Sequence, residues 1–173
     1  MIKKRGWMIA ALLQVLFLLF IVGSYYSIDY FGKEIKIKTV PVDPRDLLYG
    51  DYVTLHYDIS TAPLKSYEGD AAELERGNHK AYVVLQPNKE GYYVINKVYS
   101  EKPKVTENQV LLTAKAEKVW GEGSFNQIQL TYGFERYYVQ ENTGKELEQQ
   151  ARDMDVIISV APWGAHKIVE LNP

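Results

Sequence analysis

The first thirty residues constrain this chain most, because they divide it between two solvents. Lys3, Lys4 and Arg5 precede an apolar run from Trp7 to Val22, interrupted only by Gln14, and Gly23, Ser24, Tyr25 and Tyr26 follow. A helix rises about 1.5 Å per residue, so Gly6 to Tyr26 covers the ~30 Å hydrocarbon core of a bilayer. The positive-inside rule keeps the basic cluster cytoplasmic and sends the remainder across. Trp7 and the Tyr25/Tyr26 pair stand where interfacial aromatics belong. A cleaved signal peptide, with Val22-Gly23-Ser24 as its small-residue site, is the rival reading. The run exceeds the ~7–15 residues of an ordinary signal h-region, however, and no Ala-x-Ala occurs. The expectation is an uncleaved single-pass anchor: residues 7–26 in the lipid bilayer of the cell membrane, N-terminus cytoplasmic, C-terminal part outside.

The rest of the chain must build a core without covalent help. It has no cysteine, which removes a disulfide framework, a thiol nucleophile, a Cys-based zinc site and a lipoprotein anchor. From Ser24 onward 17 basic residues face 22 acidic ones, a formal charge of −5. That balance argues against nucleic acid, which asks for a basic stripe, and against adhesion to anionic lipid. The expected organisation is residues 1–29 as anchor and flank and residues 30–173 as one extracytoplasmic β domain, long enough for a real core.

Period-two alternation recurs along that domain. Ile35, Ile37 and Thr39 oppose Lys36, Lys38 and Val40. A strand over 52–59 puts Val53, Leu55 and Tyr57 on one face and Tyr52, Thr54 and His56 on the other. Residues 60–78 read as a surface excursion with a helical turn. Two hairpins follow, 79–86 with 92–99 around a Pro87–Gly91 turn, and 109–119 with 124–132 around Gly121 and Gly123. Residues 134–140 continue the sheet, and 156–161 with 166–171 finish it. Thr143-Gly144-Lys145-Glu146 fits a capping box opening a short amphipathic helix with Leu147, Ala151 and Met154 on one stripe. The fold expected is mainly β, an antiparallel sandwich or partly open barrel with that one short helix, preceded by the transmembrane helix.

Two dense segments hold the candidate site residues. The first, 41–57, is a rigid charged turn running into a strand: Pro41 and Pro44 fix φ, Asp43 and Asp46 can bond nearby N–H groups, and Gly50 can take a positive φ. The second, 132–139, carries one charge among aromatics on each strand face, Arg136 with Phe134 and Tyr138, and Glu135 with Tyr137 and Val139. A half-buried charge needs a partner, so Arg45 and Asp51 are expected to pair with Glu135 and Arg136, most simply as a network fixing strand register. A polar pocket lined by tyrosines is the functional alternative. The possible polar site comprises Arg45, Asp46, Gly50, Asp51, Tyr52, Leu55, Tyr57, Glu135, Arg136 and Tyr137.

Chemistry has little else to work with. Asp51 and Glu135 are the one pair that general acid–base work, as in glycoside hydrolysis, could use. His56, His79 and His166 lack metal-ligand spacing and read as strand surface residues. No serine has a nucleophile context and no phosphate-binding loop occurs. Neither a cofactor nor a metal is expected.

Gly50-Asp51-Tyr52-Val-Thr-Leu55-His-Tyr57 resembles the pattern that names the GDYXXLXY protein family of bacterial membrane-associated proteins. The preceding Pro-Val-Asp-Pro-Arg-Asp-Leu-Leu is similar to the family's lead-in. Tyr-Gly-Phe-Glu-Arg-Tyr-Tyr-Val with Thr-Gly-Lys-Glu-Leu-Glu resembles its second block, and Val156 to Ile168 its closing strands. The resemblance implies a family known by its motif rather than by an activity, whose members accompany or are fused to a multi-spanning membrane protein. A fainter echo of signal peptidases lacks their Ser-Met-x-Pro and serine/lysine pair. The expectation is a non-enzymatic accessory or binding subunit of an integral membrane protein. The alternative is an envelope enzyme or glycan-binding module using the Asp51/Glu135 region.

Overall fold

Thirty residues, Ile2–Phe31, form one continuous helix, α1, about 45 Å long at 1.5 Å per residue. The structure is a computed structural model that describes residues 2–40, 52–75, 77–119, 126–138 and 154–172. Gly6–Phe31 is apolar and long enough to cross a membrane, and from Gly6 to Tyr26 every residue is exposed. Two serines within the helix are satisfied locally: Ser24 Oγ donates to the Phe20 carbonyl at 2.9 Å and Ser27 Oγ to the Ser24 carbonyl at 2.7 Å.

Only Gly32 separates α1 from β1 (Lys33–Lys38). The other strands are β2 (Tyr52–Thr54), β3 (Thr61–Pro63), β4 (Tyr67–Glu68), β5 (His79–Pro87), β6 (Tyr93–Tyr99), β7 (Val110–Lys118), β8 (Gln127–Thr131), β9 (Arg136–Tyr138), β10 (Asp155–Val160) and β11 (His166–Asn172), with one helical turn, α2 (Ala71–Leu74). They make a six-stranded sheet ordered β3-β8-β7-β5-β6-β4, a three-stranded sheet β1-β10-β11 and a two-stranded ribbon β2-β9.

Chain length forces the large sheet to curl. Its edge strands β3 and β4 are separated by a single 3₁₀ turn, Leu64–Ser66. Four residues from Pro63 to Tyr67 reach at most ~14 Å, whereas six flat strands would set the edges ~24 Å apart. The sheet closes into a half-barrel for that reason. Pro63 sits on an edge strand, where its missing N–H costs no ladder bond. The excursion expected over 60–78 is thus largely a strap joining both sheet edges, with the helical turn at α2. Its β4–β6 pairing, Tyr67 opposite Val98, is parallel, an exception to the antiparallel pattern.

Inside lie Ile35, Ile37, Val156 and Ile158 of the small sheet and Val83, Leu85, Leu112, Ala114, Ile128 and Leu130 of the large one. Period-two alternation put them there: in β1 the isoleucines are buried and the lysines partly exposed. The sheets are stitched by Asp155, which accepts from Lys36 Nζ at 2.5 Å and from the Tyr92 hydroxyl at 3.2 Å. Both expected hairpins form, β5–β6 and β7–β8, and β10–β11 is a third.

Three strand expectations change. The motif strand stops at Thr54, and Tyr57 then bridges Thr39 before a 3₁₀ turn over Asp58–Ser60. Residues 136–138 pair with β2 rather than extending the sheet that β8 belongs to. The closing hairpin pairs with β1 in its own sheet. The capping box and helix expected from Thr143, and the turn at Gly121 and Gly123, lie outside the described residues; Met154 itself is 2% exposed.

Candidate functional site

The two motif segments meet along a seam. Tyr52 opposes Tyr138, Val53 opposes Tyr137 and Thr54 opposes Arg136, and the Leu55 N–H donates to the Glu135 carbonyl at 2.6 Å. Below that ladder two buried tyrosines latch the segments crosswise. The Tyr57 hydroxyl donates to the Phe134 carbonyl at 2.9 Å, and the Tyr132 hydroxyl donates to the Ile59 carbonyl at 2.7 Å. Their rings flank Phe134, with centroids 5.0 and 5.4 Å away. Leu55 and Tyr57 are 2% and 1% exposed, so these two motif side chains belong to the core.

Electrostatics keeps the latches protonated. Burial raises the Tyr57 hydroxyl well above the ordinary tyrosine value, and the nearby Glu135 charge raises it further. Tyr132 is pushed up in the same way, by burial first and then by Glu135 and Asp58. Each phenol therefore acts as a neutral donor to a carbonyl, not as a base. Glu135 is occupied as well. Its Oε1 accepts from the Tyr132 N–H, and its Oε2 accepts from the Gly133 N–H at 2.8 Å. Gly133 has φ +97°, which a side-chain-bearing residue rarely adopts, so the carboxylate clamps a turn that needs glycine.

The family model of the GDYXXLXY protein matches residues 14–171. The chain belongs to this family. Neither a curated protein nor a solved structure matches it.

Of the residues singled out in the GDYXXLXY sequence, Arg45, Asp46, Gly50 and Asp51 lie outside the described residues, and so does the pairing expected of Arg45 and Asp51. Tyr52 is placed on β2 by its backbone. Leu55, Tyr57 and Glu135 converge on the seam; Tyr137 is half-buried against the core and Arg136 is exposed. Glu135 accepts backbone N–H groups at both carboxylate oxygens. The histidines are not simply strand surface: His56 and His79 are half-buried, and the His166 ring stands edge-on to Phe134 at 4.9 Å. Among the described residues, no group of three or more His, Asp or Glu is placed to hold a metal.

Sequence reasoning missed a second cluster, where α1 meets the sheets. Ile28 is buried, and its carbonyl accepts from the Gly32 N–H at 2.9 Å and from Ser159 Oγ at 3.0 Å. Lys167 Nζ lies 2.5 Å from Asp29 Oδ1 and 4.7 Å from the centre of the Tyr25 ring. The Asp29 carboxylate raises the Lys167 pKa through their hydrogen bond. A Cβ on Gly32 would collide with both Ser159 Oγ and the Ile28 carbonyl. A signal was available: Asp29 stands in the last turn of a helix with no basic residue there, where an acid opposes the helix dipole unless a cation reaches it.

Proposed function

We propose that this protein is a single-pass, membrane-anchored, extracytoplasmic β domain that works by binding, as an accessory subunit of an integral membrane protein. The observation that carries the reading is α1: an apolar helix that touches the sheets only through its last two turns, leaves the rest of its length uncovered, and is joined to β1 by a single glycine. The exposed apolar length from Gly6 to Tyr26 suits lipid and a partner's helices equally. The basic flank at Lys3, Lys4 and Arg5 favours a cytoplasmic N-terminus.

Seam chemistry supports binding over catalysis. Losing a catalytic proton donor costs about 10²–10⁴ in rate while the fold survives, so a catalytic Glu135 would need a carboxylate available to substrate. Here both oxygens hold backbone N–H groups. An envelope enzyme or glycan-binding module at Asp51/Glu135 is the competing reading.

The test is purification of the full chain from membranes in mild detergent. A polytopic membrane protein at fixed stoichiometry, with residues 1–26 retained in the mature mass, is the expected result. A mature N-terminus near Tyr25 rejects the anchor. A Glu135→Gln variant that folds and keeps its partner yet abolishes the cellular phenotype rejects the binding reading in favour of the enzyme.

A further inference from the structure

An exposed aromatic collar surrounds the point where α1 enters the sheets. Tyr30 is 85% exposed, Phe31 59%, Trp163 51% and Val105 41%. The four form a continuous surface. Tyr30 and Phe31 are in edge contact at 5.1 Å, and Phe31 and Trp163 at 6.3 Å. Phe31 and Val105 line one groove of about 310 Å³, together with Pro162. Trp163 is held out by a tight turn in which the Gly164 N–H donates to the Ala161 carbonyl at 2.8 Å, with Gly164 at φ +93°.

We infer that this collar is a membrane-interface docking surface, resting the domain on the headgroup layer of the same bilayer that α1 crosses. The inference rests on the anchor reading above, and the height of the collar follows from it. If Gly6 to Tyr26 fills the ~30 Å hydrocarbon core, the five residues from Tyr26 to Phe31 rise ~7.5 Å, and a headgroup layer is ~5–8 Å thick. Tyr30, Phe31 and the Trp163 that touches Phe31 then lie within the headgroups, the depth at which tryptophan and tyrosine concentrate.

The junction cannot lift the domain away. Ser159 bonds the Ile28 carbonyl, and Lys167 reaches back to Asp29 and the Tyr25 ring, so β10 and β11 flank the last two turns of α1. Charge at the collar is mixed: Lys33 and Glu107 line the groove of Phe31 and Val105, and Lys33 Nζ donates to the Glu107 carbonyl at 3.0 Å. The contact is therefore apolar and aromatic, and it should form on zwitterionic lipid.

The absence of cysteine makes the test direct, since each introduced thiol is unique. The full chain is placed in phosphatidylcholine nanodiscs and labelled with an environment-sensitive fluorophore at one position at a time. Leu16→Cys reports the span, Pro162→Cys and Val105→Cys report the collar, and Glu117→Cys reports a point ~23 Å along β7 from Val110. Headgroup-labelled and acyl-labelled quencher lipids give the depth. Expected are deep quenching at position 16 and several-fold stronger headgroup quenching at 162 and 105 than at 117. Deep quenching at 16 with 162 and 105 no more quenched than 117 overturns the collar alone, and hands that surface to a protein partner or a second copy. Position 16 unquenched by acyl label overturns both the collar and the anchor.

Discussion

Replacing Tyr57 by phenylalanine removes one oxygen from the middle of the seam and little else. The ring stays, with its 5.0 Å contact to Phe134, so no cavity opens. What is lost is the donor to the Phe134 carbonyl, in a place that is 1% exposed at Tyr57 and 7% at Phe134. A buried acceptor left unsatisfied costs about 1–3 kcal/mol, against the ~5–15 kcal/mol that holds a domain folded. Tyr132→Phe strips the Ile59 carbonyl in the same manner and should cost a similar amount. Leu55→Ala, which does open a cavity, should cost more, about 2–5 kcal/mol. Because Tyr57 and Ile59 share one turn and Tyr132 and Phe134 share one segment, the double tyrosine variant should lose less than the two single losses together, by about 0.5 kcal/mol or more. Urea unfolding of the full chain in micelles, followed by near-ultraviolet circular dichroism, reads these as midpoint shifts at constant slope. Tyr30→Phe, at an 85% exposed site, is the control. If Tyr57→Phe unfolds with wild type and the control, the latch argument fails and the motif tyrosine serves something other than the fold.

Gly32→Ala should open the helix junction: spin labels on α1 and β11 are expected to give a broadened distance distribution, and Ser159→Ala should not restore it, since the Ile28 carbonyl still blocks the new Cβ. Alkaline titration should leave Tyr57 and Tyr132 silent, because their folded pKa values are raised above the ordinary 10.0. Their stabilisation is complete below about pH 10 and is lost as pH climbs above it, so absorbance at 295 nm should show their ionisation only with cooperative unfolding; a simple titration of all 14 tyrosines with dichroism unchanged contradicts this. For Asp155, burial pushes the carboxyl up, but Lys36 and Tyr92 outweigh it and leave the pKa below 3.8. That stabilisation is present above about pH 4 and fades as the pH falls below it, and Asp155→Asn should flatten the acid limb accordingly.

Local periodicity made much of this fold legible. The alternation in β1, the hairpin turns and the long helix are short-range signals, and the sequence carries them in full. Pairings set by distant segments were not legible. Nothing near Arg136 says that its strand pairs with β2, and nothing in residues 61–68 says that they strap two edges of one sheet, because both facts depend on how far the large sheet curls. At the site, the burial of Leu55 and Tyr57 followed from their face of the strand. The clamp that Glu135 places on the Gly133 turn did not, although its position two residues after a glycine that needs positive φ was a clue.

A motif built this way names a fold before it names a chemistry. Thr39 Oγ1 donates to the Met154 carbonyl at 3.0 Å and accepts from the Met154 N–H at 2.8 Å, while Tyr52 opposes Tyr138. Val40 and Tyr52 flank residues 41–51, and Tyr138 and Met154 flank residues 139–153. The seam therefore holds the endpoints of both motif-rich stretches together in pairs, one pair at Thr39 and Met154 and the other at Tyr52 and Tyr138. Any change at Leu55 or Tyr57 moves that frame, so a functional loss there reports on framing. Arg45, Asp46 and Asp51 belong to the flanked stretch 41–51, and substitutions at those positions, made in a chain whose Tyr57 and Tyr132 latches are intact, are the ones that test for a binding surface apart from the folding signature.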